Sequence, residues 1–446
     1  YVGTDDGLIH VTEDGGGYWR KQSSFNGVPD RTYVNEVLAS KHSDNVVYAA
    51  FNNHKNGDFK PYIYKSTDKG RTWSAIANNL PVRGSVYAIE EDHIDPNLLF
   101  AGTEFGVFYS NNAGNSWNLL KSGLPTITVR DIAIQPREND LVLGTFGRGF
   151  YVLDDYSSLR DADNLSNQTA ALLPVRDAFA FEYKYPLGLP GKAFQGDDYY
   201  LGDNLGSEAI ITYYLKDEIK TKRDQRLKRE KDTTDDRYPS YDELKAEKEE
   251  EAPYLLFTIK DNQGQVVRKL TTTPSTGINR IHWDLRFAST NPINLRPPAF
   301  YNPWGGNDKG TLVPPGKYIV SFASFADGTF TDLGEPVSFN VKSLNNTVLH
   351  AEDRVALAAF QDEVTELSRV VNGAQNSMRE LNNELKHIKA AITKSSADQK
   401  MLMQAYTDFN MKLRRVSIGI NGDRVKAQLD MNQPMSVAGR LGNIQY

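Results

Sequence analysis

Two carboxylates held about 5 to 10 Å apart across a glycosidic bond suffice for acid, base or nucleophile chemistry. The chain offers such a pair in Asp5 or Asp6 with Glu104. Arg31, Arg83, Arg130 and Arg148 add guanidinium groups, whose planar fork grips carboxylates and phosphates. The plainer role for acids in such settings is to form turns or face solvent. Other chemistries lack their residues. There is no cysteine, which removes thiolate metal sites and cysteine nucleophiles. The seven histidines show no ligand spacing, and neither a Gly-x-Ser-x-Gly elbow nor a Walker loop occurs. No metal and no cofactor is therefore expected.

What positions these residues is a repeat. Ser66-Thr67-Asp68-Lys69-Gly70-Arg71-Thr72-Trp73 has a near copy at Thr12 to Trp19, through Asp14, and a weaker one at Ser110 to Trp117, through Asn112 and Gly114. The shared pattern is Ser/Thr-x-Asp/Asn-x-Gly-x-x-Trp. Each copy follows a β-like run, so it reads as a hairpin turn: Asp or Asn accepts backbone N–H groups, Gly takes the left-handed position, and Trp covers the turn. Ahead of it recurs a second phrase, at Gly3-Thr4-Asp5-Asp6-Gly7, Gly102-Thr103-Glu104-Phe105-Gly106 and Gly144-Thr145-Phe146-Gly147-Arg148-Gly149. Earlier still come alternating strands near Tyr33, Val86 and Val129. Successive tryptophans, Trp19, Trp73 and Trp117, stand 54 and 44 residues apart, the spacing of four-stranded β-propeller blades. Residues 1 to 160 then hold two complete blades, the end of one before them and a final one, and the expectation is that the chain begins within its fold.

Parity divides the loops. With strands A to D in each blade, the Trp-bearing turns join C to D, and the Gly-Thr phrases join B to C at the opposite end. Asp5, Asp6, Asn53, His54, Glu104 and Arg148 fall on B to C turns, Arg31 and Arg83 on D to A connections, and Arg130 and Asp131 begin an innermost strand. By analogy with other propellers, ligands are expected at this second end, and Asp14, Trp19, Asp68, Gly70, Trp73, Asn112, Gly114 and Trp117 are expected to be scaffold.

These repeats resemble Asp-boxes, also called BNR repeats, found in sialidases, xyloglucan-cleaving hydrolases and sortilin-type receptors. The run Gly144-Thr145-Phe146-Gly147-Arg148-Gly149-Phe150-Tyr151-Val152-Leu153-Asp154-Asp155 looks like the last blade of bacterial sortilin-like propeller proteins, often labelled glycosyl hydrolases. The resemblance implies a secreted, periplasmic or cell-surface location, and either recognition of a peptide, protein or glycan, or glycoside hydrolysis at the same face. A sialidase of this kind would need an arginine cluster, a tyrosine nucleophile backed by Glu, and an acidic proton donor. The cysteine-rich modules of animal sorting receptors are absent.

Downstream, strand-like runs at 209–215, 254–259, 278–286 and 318–322, separated by turn signals, predict an immunoglobulin-like sandwich over 161–345. The run from Asp217 to Glu251 interrupts it; rich in both charges and poor in apolar residues, it reads as a solvated, partly helical excursion or a docking arm. A C-terminal segment is expected over 346–446, and from 351 the period changes. Leu357, Phe360, Val364, Leu367, Val371, Ala374, Met378, Leu381, Leu385, Ile388 and Ile392 form a heptad seam. After a break at Lys394 to Asp398 comes a returning helix, a long antiparallel hairpin that acts as an internal brace or a dimer-forming coiled coil. The expected class is thus mainly β with an α-helical tail: a partial β-propeller, a sandwich and a helical hairpin, with the remaining blades supplied in cis or by a companion chain. The 51 Lys and Arg against 57 Asp and Glu, net −6, leave no basic footprint for nucleic acid, and no run is apolar enough for a membrane span.

Overall fold

The computed structural model describes residues 1–121, 123–181, 196, 205–232, 238–293, 295, 309–344 and 351–445. The chain is mainly β with a helical C-terminal region, and it divides into two compact units. One holds Tyr1–Pro174 with Thr212–Glu218 and Ser275–Asn279; the other holds Val175–Ile211, Ile219–Pro274 and Arg280–Tyr446.

The first unit is built from antiparallel sheets in chain order. Strands β1 (Val2–Gly3), β2 (Ile9–Val11) and β3 (Arg20–Gln22) form the first sheet. The second is β4 (Tyr33–Ala39), β5 (Val47–Asn53), β6 (Asp58–Ser66) and β7 (Ser74–Ala75), and the third is β8 (Val86–Glu91), β9 (Leu99–Thr103), β10 (Gly106–Ser110) and β11 (Asn118–Leu119). The fourth is β12 (Val129–Gln135), β13 (Asp140–Thr145) and β14 (Phe150–Leu153). In these four sheets every strand pairs only with its neighbours in sequence.

The sheets stack face on face, which explains why their middle strands do not alternate. All seven residues of β5 and all five of β9 are buried, because side chains pointing either way meet another sheet. Ala49 and Phe51 pack toward Ile9, Val11 and Val34, whereas Tyr48 and Ala50 pack with Val86, Ile89, Leu99 and Phe108. On the third sheet Leu98, Phe100 and Val107 then turn to Val129, Ile132 and Leu141. The approach is close: a Cβ at Gly102 would stand 2.9 Å from the Val129 carbonyl oxygen.

After β14 a short helical turn, Ser157–Asn167, is fastened back to the third sheet. The carboxylate of Asp92, fully buried, accepts from Arg160 Nε at 2.8 Å and Nη2 at 2.9 Å, and also from the Tyr156 hydroxyl. Strand β15 (Ala170–Leu172) then pairs antiparallel with residues 213–215, in β17 (Ala209–Leu215). Between them in sequence lies β16 (Ala178–Ala180).

In the second unit, β18 (Tyr254–Asp261), β19 (Val266–Thr272), β21 (Gly316–Ala326) and β22 (Thr329–Ser343) join β16 in a sheet ordered β16-β22-β21-β18-β19, where β16 runs parallel to β22. Here period two returns. Leu255, Phe257 and Ile259 are buried in alternation, as are Tyr318, Val320 and Phe322. Trp283, the last residue of β20 (Gly277–Trp283), is fully buried and edge-on to Tyr318 and Phe339. Residues 182–195, 197–204, 233–237, 294, 296–308 and 345 of the expected sandwich segment lie outside the described residues.

The charged run carries α1 (Lys222–Asp232) and α2 (Tyr241–Glu249), joined by a two-pronged pair from Arg226 to Glu247; residues 233–237 lie outside the described residues. Helix α3 (Ala351–Lys394) packs on α4 (Gln399–Asn421) through Met378, Leu385 and Leu413, and α5 (Arg424–Gln428) and α6 (Val437–Gln445) follow. On α3, Val371, Met378, Leu385 and Ile392, seven residues apart, are buried, while Phe360, Leu367 and Ile388 from the same seam are exposed. A single partner helix covers only part of a two-position seam. Among the described residues no helix is long and apolar enough to cross a membrane.

Candidate functional site

The first strand of each of the last three sheets carries a β-bulge at the same place. The ladder skips one residue between Val34 and Glu36, between Val86 and Ala88, and between Val129 and Asp131. The residues left over are Asn35, Tyr87 and Arg130. A bulge residue has no cross-strand partner and re-aims its side chain, and here each reaches the next. Asn35 Nδ2 donates to the Tyr87 carbonyl, and the Arg130 guanidinium carbon stands 3.8 Å from the Tyr87 ring centre.

Beside this row opens a cavity of about 780 Å³. The turn from β5 to β6 supplies His54, Gly57 and Asp58; the connection from β7 to β8 supplies Val82 and Arg83; the turn from β9 to β10 supplies Glu104 and Phe105. Phe59, Lys60, Tyr87 and Arg130 complete the wall. Because successive connections alternate between the two ends of a sheet, all three belong to the end opposite the Ser/Thr-x-Asp/Asn-x-Gly-x-x-Trp turns.

Both acids of the wall are engaged within the protein. Glu104 accepts from the Tyr87 hydroxyl at 2.5 Å and from Thr128 Oγ1 at 3.0 Å. Asp58 accepts from the Tyr62 hydroxyl at 2.6 Å, from Asn53 Nδ2 at 3.3 Å and from its neighbour's backbone, Lys60 N, at 3.2 Å. Burial would raise the Asp58 carboxyl, but the Tyr62 hydrogen bond and its companions outweigh that and hold it below its ordinary range. Tyr87 moves the other way. Burial first, then donation to Glu104, pushes its phenol up to about 12. Neither Arg83 nor Arg130 forms an ion pair with a carboxylate among the described residues. Arg130 lies between the Tyr87 ring and that of Phe146, whose centre is 5.3 Å away, so its N–H edge is what remains to offer a ligand.

Of the residues marked out by sequence, Arg83, Arg130, Glu104 and His54 come together in this cavity. Asp5, Asp6, Arg31 and Arg148 are not among those lining it. Asp5 and Asp6 sit on the turn from β1 to β2, where Thr4 Oγ1 donates to Asp6 and Gly7 abuts Arg31 and Thr32. Arg31 has φ 60°, a left-handed backbone, and Arg148 is exposed between β13 and β14. Asp131 Oδ1 accepts from Ile132 N at 2.9 Å. Tyr87, Asp58, Phe59, Lys60, Val82 and Phe105 were not foreseen. For Tyr87 a signal existed: aligning the three innermost strands puts it in register with Arg130.

The Trp-bearing turns are held by a network that repeats atom for atom. The Ser or Thr hydroxyl accepts from the Gly N–H at 2.8, 2.8 and 2.9 Å in Thr12/Gly16, Ser66/Gly70 and Ser110/Gly114. It donates to Asp14, Asp68 and Asn112 at 2.8, 2.7 and 2.9 Å. The acid or amide oxygen accepts in turn from Tyr18, Thr72 and Ser116 backbone N–H groups. These bonds, led by Tyr18 N–H on Asp14 and by the Thr72 hydroxyl on Asp68, hold both carboxyls below their ordinary range. The tryptophans differ: Trp117 is buried and donates to the Ile76 carbonyl, while Trp19 is 42% exposed. The second and third turns are tied to the sheets before them, Arg20 to the carbonyls of Lys69 and Gly70, and Asn79 to Trp117. Among the described residues no group of three or more His, Asp or Glu is disposed to hold a metal ion.

No family model matches the chain, and no curated protein matches it. Among solved structures, it is similar to YCF48 bound to D1 peptide, at 18% identity and a TM-score of 0.28 over 35% of this chain and 47% of that one. It is similar to the GH74 xyloglucanase from Xanthomonas campestris at 18% identity, TM-score 0.27, over 34% and 24%. An ancestral GH74 enzyme aligns at 13% identity, TM-score 0.27, over 75% and 38%. The chain thus spans less than half the length of each. At these scores the likeness assigns no activity, and the stacking of the sheets is read from the sheets themselves.

Proposed function

We propose that this chain is part of a β-propeller recognition protein of the Asp-box, sortilin-like kind, binding a peptide, protein or glycan at the end of its sheets opposite the Asp-boxes. In this reading residues 1–160 are blades, 161–345 an immunoglobulin-like sandwich with the 217–251 insertion, and 346–446 a helical hairpin and extension. The setting is secreted, periplasmic or cell-surface. Further blades, in cis or from a companion chain, would cover the exposed Phe150 and Val152 of β14.

One observation carries the reading: three connections at one end of the sheets and two bulge residues converge on one cavity of about 780 Å³, within the range of ligand sites, whose two acids are engaged internally and whose two arginines pair with no carboxylate among the described residues. Engaged acids favour holding a ligand over cleaving one. The test is retention of defined peptide, protein and glycan panels by the full chain alongside turnover of aryl glycosides and polysaccharides. Binding without turnover is expected; turnover lost in Glu104→Gln at unchanged folding overturns it.

A second reading, glycoside hydrolysis, is favoured by one feature: a tyrosine backed by a glutamate beside two arginines, with Asp58 as a further acid in the same wall. Against it stand the burial of Tyr87 and its raised phenol, both poor properties in a nucleophile. Abolition of turnover in Tyr87→Phe would decide for hydrolysis.

A further inference from the structure

Resting on the recognition reading, we infer that the cavity takes an acidic peptide segment, with carboxylates on Arg83 and Arg130 and apolar side chains against Phe59, Val82 and Phe105.

The charge argument comes from which groups are already satisfied. Lys60, Arg83 and Arg130 line the wall with Asp58 and Glu104. Asp58 already accepts from three internal donors, and Glu104 from Tyr87 and Thr128. The guanidinium groups of Arg83 and Arg130 have no such partner among the described residues. A ligand therefore meets acids already engaged within the protein and arginines that pair with no carboxylate, and a ligand carboxylate fits that pattern bidentately. Arg130 is also held in place, its plane over Tyr87, so little freedom is lost when it engages.

Peptide is favoured over acidic glycan by what surrounds the cations. Val82 is 76% exposed, Phe59 46% and Phe105 44%. Val82 offers no hydrogen bond to a sugar hydroxyl, and the side chains best suited to grip such hydroxyls, Asp58 and Glu104, are already engaged internally. Acidic residues interleaved with apolar ones satisfy both halves of the wall.

The test uses the full chain and a pool of random dodecapeptides, sequenced before and after retention, at about 50 mM and about 500 mM salt. Retained peptides should be enriched in Asp and Glu next to Leu, Phe or Val, with enrichment lost at the higher salt. Arg83→Gln and Arg130→Gln should each weaken a retained acidic peptide about tenfold, with unchanged circular dichroism. Enrichment of neutral or basic peptides, or an acidic signal that survives the double variant, overturns the inference. Retention of polygalacturonate or sialylated oligosaccharides in place of peptides also overturns it while leaving recognition standing. Retention of neither peptides nor glycans by the folded chain sinks the recognition reading itself.

Discussion

Arg130 stacks its guanidinium 3.8 Å above the ring of Tyr87, although the two belong to different sheets. Each is the residue its own strand leaves out of the ladder. The contact couples neighbouring sheets at the wall of the cavity, and the Tyr87 hydroxyl extends it to Glu104.

Separating ring from hydroxyl tests that coupling. Tyr87→Phe keeps the cation–π face and removes one hydrogen bond to a carboxylate, so stability should fall by about 1 to 3 kcal/mol. Affinity for an acidic peptide should fall less than in Arg130→Gln. Tyr87→Ala removes a buried ring, and about 3 to 5 kcal/mol is expected by analogy with other aromatic truncations. Denaturant titration and calorimetric binding read both.

Glu36, on β4, should make stability fall as pH rises. Burial pushes its carboxyl up to about 7 against the hydrogen bond it accepts from Ile89 N at 2.7 Å, with Glu90 and Asp131 adding repulsion. The folded state therefore holds a proton that the unfolded state releases near pH 4.5, and stability is lost between about pH 4.5 and 7. Glu36→Gln should match the parent near pH 4 and exceed it at pH 8 by up to about 3 kcal/mol. Equal pH dependence in both proteins would remove Glu36 as the cause.

Arg160 and Asp92 form a buried pair whose loss should be costly. Burial alone would raise the Asp92 carboxyl, but Arg160 and Tyr156 hold it well below the carboxylate range. Its contribution is thus present above about pH 4 and lost on acidification. Arg160→Met should cost about 3 to 5 kcal/mol at neutral pH, because an unpaired charge stays behind. Arg160→Lys should recover only part of that, since the two-pronged geometry goes. Thermal melts at matched pH measure both.

Ser66→Ala should cost about 1 to 3 kcal/mol by orphaning the buried Gly70 N–H. Because that turn lies at the end away from the cavity, peptide affinity should not change. A loss of binding in a variant that melts normally would show the two ends to be coupled.

The turns and the order of the sheets were legible because both rest on local chemistry. A hydroxyl, an acid and a glycine at fixed offsets can only close on one another, and short runs joined by tight turns must pair in sequence. The hydroxyl's double role in Ser66 went unseen, since spacing does not say which atom faces which. Arg83, Arg130 and Glu104 could be sorted to one end by counting strands. Counting could not find Tyr87, because a bulge reverses the side a residue faces; aligning its strand with that of Arg130 could. Nor could it separate Glu104 from Asp5 and Asp6, which share a phrase but sit on different sheets. The alternation expected of the strand at Val86 is not found in β8, where five of six residues are buried, because both its faces are covered.

The bulges shared by β4, β8 and β12 give the array three equivalent seats, filled by an amide, a phenol and a guanidinium. A seat outside the ladder can change occupant without re-registering any strand. Descendants of such a scaffold can thus retune what the face holds one substitution at a time, while the stacked interior is inherited intact.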